Sequence, residues 1–453
     1  MAKYQKYAEY QDSGVEWLGE VPSHWQTPKL FHVTSKIGDG LHSTPVYQEG
    51  TGYYFINGNN LVDGKIVIGS TAKEVPNEEF IKHRVFLNES TVLLSINGTI
   101  GKVALYEGEL VILGKSAAYI NCEHKVLALF LLNFLNTLQA KKYYDLEVTG
   151  TTIFNLSLNS IRNMKLPLPT ILEQTQINSF LDHETAQIDT LIAKQEKLIE
   201  LLKEKRKAVI SHAVTKGLNP NVSMKDSGVE WLGEVPEHWT VSKFGYISQV
   251  VRGGSPRPAG DPTLFNGDYS PWVTVAEITK DDELYLTSTE TFLTKKGSEQ
   301  CRVFQTGTLL LSNSGATLGV PKILCINANA NDGVVGFEEL KIDTEYAYFY
   351  LSVLTNDLRE RVKQGSGQPN LNTDIVKAIS ITLPPENEIK EIVAAIKKKI
   401  NHFSKLMASA EHAIQLMQER RTALISAAVT GKIDVRSWQH PDKKNEVDVE
   451  LSA

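Results

Sequence analysis

The chain lacks most of what a catalyst, a secreted protein or a membrane protein needs. It has three cysteines in 453 residues, Cys122, Cys301 and Cys325, and no two of them stand in a C-x-x-C pair. A disulfide framework and a cysteine zinc site are therefore not expected, and buried free thiols in a reducing cytoplasm are. No stretch approaches the roughly eighteen uninterrupted apolar residues of a membrane-spanning helix. The opening MAKYQKYAEYQ lacks the apolar centre of a signal peptide, so the expected location is cytoplasmic. None of the eleven histidines stands in H-E-x-x-H, and no His/Cys cluster has ligand spacing, so no metal site is expected.

Enzyme motifs are missing too. The adenine-methylase pattern Asn/Asp-Pro-Pro-aromatic is absent, since Pro384-Pro385 lies between Leu383 and Glu386. Gly114-Lys115-Ser116 ends like a phosphate loop, but Glu109 stands where its first glycine belongs. Asp268, Glu277 and Lys280 have the spacing of a nuclease carboxylate cluster, but the matching part of the first half lacks it. No catalytic residue is assigned. A surplus of positive charge is missing as well: 47 Lys and Arg face 53 Asp and Glu, a net charge of -6. Residues 1–170 carry 15 basic against 16 acidic side chains, and residues 217–385 carry 14 against 20. A chain held to DNA by its own phosphate contacts is usually basic, so this balance counts against nucleic-acid binding unless basic residues are focused on one face or partner subunits clamp the backbone.

What the chain does have is periodicity. From Glu173 to Thr215, steps of four and three place Ile177, Leu181, Ile188, Leu191, Leu198, Leu202 and Val209 on one seam, interrupted by Glu184, Gln195 and Lys205. That spacing predicts a coiled-coil helix. Thr170 and Glu173 form a T-x-x-E capping box after KLPLP, and Gly217 provides the stop. An offset of 215 residues carries the seam to Ile392, Ile396, Phe403, Leu406, Ala410, Ala413, Met417 and Leu424, with Lys399 and Arg420 as its polar members. The exits RKAVISHAVTKG and RTALISAAVTGK repeat as well. Two such helices are expected to pair antiparallel about a pseudo-twofold axis.

The rest of the chain is also doubled. DSGVEWLGEVPSHW (Asp12–Trp25) returns as DSGVEWLGEVPEHW (Asp226–Trp239). Each copy contains two tryptophans and no nucleophile–base pair. The segment therefore reads as a lead-in that docks Trp17, Trp25 and their counterparts on the helix, rather than as a ligand site. The β-like runs YYFING, KIVIGS, STVLLSI, KVALYE and ELVILG follow. His83–Leu105 aligns with Cys301–Ile323 and Val148–Ile161 with Lys363–Val376, while Gly38–Glu79 has little in common with Arg252–Thr294. The expected fold class is α+β: two similar mixed α/β domains separated by two long helices in an antiparallel coiled coil, an internal pseudo-twofold repeat. The expected boundaries are 1–170 with lead-in 12–25, helix 171–217, 218–385 with lead-in 226–239, helix 386–432 and tail 433–453.

This order, with LPLPTILEQTQI before the first helix and LPPENEIKEI before the second, resembles the specificity subunit of type I restriction–modification enzymes over nearly all of residues 12–432. The resemblance implies a non-catalytic reader of double-stranded DNA, cytoplasmic, with two target-recognition domains that each contact half of a split target. It also implies helices that set the gap and hold two DNA methyltransferase subunits, joined by restriction/translocase subunits. No cofactor belongs to the chain itself; S-adenosylmethionine, ATP and magnesium are implied for the partners. Two alternatives stay open at this point: a specificity chain serving a fused methylase–nuclease, and a coiled-coil adaptor that never meets DNA.

Base edges are read by small polar and cationic side chains presented from loops. In the first half, the candidates in Gly-containing polar loops are His42, Ser43, Asn57, Asn59, Asn60, Asn97, Thr99, Lys102, Thr151 and Thr152. In the second they are Arg252, Ser255, Arg257, Asn313, Ser314, Thr317, Gln364, Ser366, Gln368 and Asn370. Ordinary turn chemistry, in which Asn and Ser satisfy nearby backbone, competes with that reading at each position. The loops after VLLS and LLLS stand out, because Gly98, Gly101, Gly315 and Gly319 allow close approach to a ligand.

Overall fold

The computed structural model describes residues 4–150, 154–315, 317–363 and 370–441. Two helices dominate, α1 (Ile171–Lys216, 46 residues) and α2 (Glu386–Val429, 44 residues). At about 1.5 Å per residue each is well over 60 Å long. The chain forms two compact units: residues 1–195 with 412–453, and residues 196–411. Each unit therefore contains part of both helices, and the described residues 433–441 of the expected tail belong to the first unit. Among the described residues no helix is long and apolar enough to cross a membrane.

Within the first unit the start of α1 packs with the end of α2. Ile177, Phe180, Leu181 and Ile188 share one core with Leu424, Ile425 and Ala428. Within the second unit the end of α1 packs with the start of α2, where Ile210, Ala213 and Val214 share a core with Ile389, Ile392 and Ile396. The helices are antiparallel in both.

The seam differs from the sequence expectation at one position per heptad. Leu191, Leu198 and Leu406 are 50%, 43% and 41% exposed and lie outside it. Along α1 the covered positions are Ile188, Ile192, Gln195, Ile199, Leu202, Arg206, Val209 and Ala213. Along α2 they are Ile396, Ile400, Phe403, Met407, Ala410, Ile414, Met417, Arg421 and Leu424. Every seventh position agrees, but the second contact of each heptad falls four residues on instead of three. Apolar residues occupy both places at 191 and 192, and at 198 and 199, so periodicity alone does not separate them.

The capping box also differs. Thr170 Oγ1 accepts from Glu173 N at 3.3 Å, but the buried Glu173 carboxylate is taken by Tyr7, whose hydroxyl donates at 2.5 Å, and by His24 Nε2 at 3.0 Å. The second unit repeats the histidine contact, His238 Nε2 to Glu388 at 2.9 Å, and there Trp239 Nε1 donates to the same carboxylate at 3.0 Å. Both lead-ins are short hairpins, Tyr10–Asp12 with Glu20–Pro22 and Met224–Asp226 with Glu234–Pro236. They seat Trp25 and Trp239, 1% and 0% exposed, in the cores that contain the helices. In the first unit Ile433 and Val435 are buried too, and Asp434 N donates to Gln5 O at 2.9 Å.

Each unit is built on an antiparallel sheet covered on both faces. In the first, β1 (Thr34–Asp39), β2 (Thr91–Ser95), β3 (Val103–Leu105) and β4 (Ala117–Cys122) lie in the order β1-β4-β2-β3. Val92, Leu94 and Ile120 face the helical core, while Leu93, Ala104 and Tyr119 face a second layer containing Ile56, Val111 and Leu113. In the second unit β5 (Gln249–Arg252), β6 (Leu309–Ser312), β7 (Pro321–Leu324) and β8 (Val334–Glu338) take the matching antiparallel order β5-β8-β6-β7, with Tyr285–Leu286 added in parallel beyond β7. Burial on both faces explains why VLLS and LLLS are unbroken apolar runs rather than alternating ones. The cysteines only partly match expectation. Cys122 is buried, and burial pushes its thiol up to about 12, but Cys301 is half-buried and Cys325 exposed.

The corrected seam makes a sharp contrast between neighbours. Ile188→Asp places a charge in the core of the first unit and should lower unfolding free energy by about 3 kcal/mol or more. Leu191→Asp should cost no more than about 0.5 kcal/mol, as surface changes do. Urea denaturation of the full chain measures both.

Candidate nucleic-acid interface

In an antiparallel sheet the ends of some strands lie beside the starts of others, so loops distant in sequence collect at one edge. In the first unit that edge gathers Gly40–Ser43 after β1, Ile96–Lys102 between β2 and β3, and Gly114–Ser116 before β4. Leu156 N donates to Ile96 O at 2.8 Å and Gly98 N to Phe154 O at 3.2 Å, which brings the middle of the Val148–Ile161 segment to the same edge. The second unit gathers Gly253–Arg257, Asn313–Gly315 with Thr317–Gly319, and Asn331–Gly333 in the same way. There Leu371 N donates to Asn313 O at 2.7 Å, and Ser314 pairs with Asn370.

The main loop of each unit is closed from beneath by a buried serine that the sequence did not single out. Ser95 Oγ donates to Thr99 O at 2.5 Å and accepts from Lys102 N at 2.9 Å. Ser312 Oγ donates to Thr317 O at 2.8 Å and accepts from Val320 N at 2.9 Å. Both serines are 0% exposed. The turn each one closes needs a left-handed residue, supplied by Gly101 (φ +88°) and Gly319 (φ +82°).

The sequence candidates separate into three groups. Ser43, Asn59, Thr99, Thr317 and Asn370 are exposed, and Asn97, Lys102 and Ser314 half-buried. His42 is exposed, with Nε2 2.8 Å from Asp39 Oδ2. Arg252 and Arg257 are exposed, and Ser255 is half-buried.

A second group serves the fold. Asn60 is 2% exposed, with Oδ1 accepting from Asn57 N and Nδ2 donating to Val67 O and Thr71 Oγ1. Asn57 Oδ1 accepts from Ser116 Oγ at 2.9 Å. These two are turn residues, the competing reading noted for asparagines in Gly-rich loops. Asn313 is fully buried, and neither its amide nitrogen nor its oxygen has a partner. The matching position in the first unit is Ile96, 3% exposed. The third group, Thr151, Thr152, Gln364, Ser366 and Gln368, lies outside the described residues.

Around Asp332 the second unit has a charged cluster with no described counterpart in the first. Arg252 Nε donates to Asp332 O at 2.6 Å and Ser255 Oγ to Asp332 Oδ1 at 2.7 Å. The Ser255 hydroxyl, aided by the charges of Arg252 and Arg257, holds the Asp332 carboxyl below its ordinary range against the effect of burial. Among the described residues no group of three or more His, Cys, Asp or Glu is placed to hold a metal ion.

The profile of the type I restriction modification DNA specificity domain matches residues 23–201 and 236–415, one match for each copy of the repeat. The chain belongs to this family. It is a type I DNA specificity chain, a targeting component rather than a catalytic one. The type I restriction enzyme MjaVIII specificity subunit of Methanocaldococcus jannaschii is 23% identical over 439 residues, covering 92% of this chain and 95% of the relative. Two solved chains share the fold at 15% identity. One comes from a study of complex assembly and conformational transition in the type I R-M system, with TM-score 0.66 over 91% of this chain and 99% of that one. The other is the HsdS subunit from Thermoanaerobacter tengcongensis, with TM-score 0.51 over 91% of this chain and 98% of that one.

Two outcomes follow for this edge of the specificity chain. Asn313→Leu keeps the side chain's shape and removes two unpaired polar groups, so unfolding free energy should rise by about 1–3 kcal/mol in urea denaturation. Asp332 titrates lower in the fold than in the unfolded chain. Its tether is therefore fully present above about pH 4 and is lost as pH falls through the folded value. Asp332→Ala should lower the urea midpoint at pH 7, and the gap from wild type should close as pH falls below that range.

Proposed function

We propose that each unit reads one half of a split DNA target through the loop edge of its sheet, and that α1 and α2 set the gap between the halves. The supporting observation is the same edge built twice with different side chains. Sheet order, serine closure and the glycine turn are shared, while Asn97, Thr99 and Lys102 stand where the other copy has Ser314 and Thr317. His42 and Ser43 likewise stand opposite Arg252, Ser255 and Arg257. Shared scaffold with unshared readers suits two different half-sites. Two DNA methyltransferase subunits dock on the helices, and restriction/translocase subunits join them. S-adenosylmethionine, ATP and magnesium belong to those partners, and the assembly works in the cytoplasm. Because neither half is basic, the partners supply most of the phosphate contacts while this chain selects bases.

Exchanging residues 27–165 for the same region of a relative tests the reading. Sequencing of methylated DNA from a host carrying the chain and its methyltransferase should then show one half-site changed and the other retained. Simultaneous change of both halves would refute independent readers, and absence of any split motif with the wild-type chain would leave the adaptor.

A further inference from the structure

In the second unit the loop edge is held from behind by a helix that the sequence reading passed over. The helix Thr344–Lys363 packs against Leu318 and Gly319 of the loop after β6. Thr355 Oγ1 donates to Gly319 O at 2.7 Å and Arg359 Nε donates to Leu318 O at 2.9 Å. Positions 355 and 359 are one turn apart and share a helix face. Leu318 and Gly319 are buried, so without these donors their carbonyls would be left unpaired away from water. The same two residues sit where Ser312 closes the loop, since Gly319 N donates to Ser312 O at 2.7 Å.

The first unit supports its loop differently. A Cβ added at Gly101 would meet the Tyr144 ring at 3.1 Å, and Tyr144 Oη donates to Leu135 O at 3.0 Å. Among the described residues, no side chain of the helix Leu138–Glu147 donates to that loop's carbonyls. One loop rests on an aromatic face and the other is tied by two directional bonds.

We propose that Thr355 and Arg359 are positioning residues for base selection by the second unit, fixing the height and tilt of the loop that presents Ser314 and Thr317. This rests on the reading of the loop edge as the DNA-contacting surface. Discrimination between bases depends on distance and angle at the base edge, so a loop released by a fraction of an ångström loses selectivity before it loses contact. The first half-site is an internal control, because its loop does not use this clamp.

The test uses the full chain assembled with its methyltransferase, as wild type, T355V/R359M, T355S/R359K and T355V alone. Methylated host DNA is sequenced, and binding of the complex is measured on duplexes altered in one half-site at a time. The second unit's half-site is the one that survives exchange of residues 27–165. T355V/R359M should discriminate about ten-fold less against altered second half-sites, with first half-site discrimination within about two-fold of wild type. T355S/R359K, which keeps both donors, should restore selectivity, and T355V alone should shift it in the same direction by less. Unchanged selectivity in T355V/R359M overturns the proposal. So does equal loss at both half-sites, the result expected if Arg359 contacts phosphate or the substitutions merely weaken the fold. A wild-type complex that methylates no split motif would count against the function itself, not against the clamp.

Discussion

An apolar stripe running along 46 residues of helix has to be covered, and in this chain covering it determines how each unit is composed. A single long helix gains little from its own hydrogen bonds and is stabilised mainly by what packs on its apolar side. In the first unit that cover comes from the end of α2, the lead-in with Trp25, and Ile433 and Val435 beyond the helix. In the second it comes from the start of α2 and the lead-in with Trp239. The start of each long helix is tied by the same device, a carboxylate in the first turn that meets the lead-in histidine: Glu173 with His24, and Glu388 with His238. The lead-in is thus part of the helix packing, which is why it recurs almost letter for letter while the loops diverge.

Much of this was legible in the sequence, and what was not has a physical cause. The repeat follows from a constant offset of 215 residues, and the paired long helices from a heptad that holds over forty residues. The error over Leu191 and Leu198 arises because isoleucine follows at 192 and 199. Both residues of each pair lie near the boundary of the stripe, and only the partner helix decides which is covered. The exchange of Glu173 from capping box to lead-in anchor was hidden for a related reason. A capping box is a local pattern, whereas Tyr7 and His24 reach Glu173 from positions 166 and 149 residues away.

The loop edge was legible in outline and opaque in detail. Gly101 and Gly319 marked the turns that the buried serines close, since a left-handed turn leaves a mark in the sequence. Asn60 and Asn313 did not reveal that they are buried, because asparagine in a Gly-rich loop looks alike whether it satisfies a turn, faces solvent or sits without a partner. Thr355 and Arg359 left no sign at all. Their bonds cross 36 and 41 residues to carbonyl oxygens, which every residue possesses. A contact to backbone constrains only one of its two partners in sequence, so half of such a pair cannot be read.

The charge distribution bears on how the labour is divided. Arg252, the cation nearest the second loop edge along β5, already donates to the Asp332 carbonyl, and Arg257 helps to hold the Asp332 carboxyl ionised. An arginine committed in this way gains geometric definition and gives up some of the freedom that a phosphate clamp uses. The first edge has the half-buried Lys102 and the exposed Lys115 among neutral Asn and Thr side chains. Neither half has the surplus of basic residues that drives counterion release, with 15 basic against 16 acidic side chains in residues 1–170 and 14 against 20 in residues 217–385. On the proposed reading, small polar groups on these loops supply a comparison between bases, whose value lies in the difference between two bound states rather than in the strength of either. On the proposed division of labour, a chain composed this way selects a site better than it holds it, and partner subunits supply the affinity.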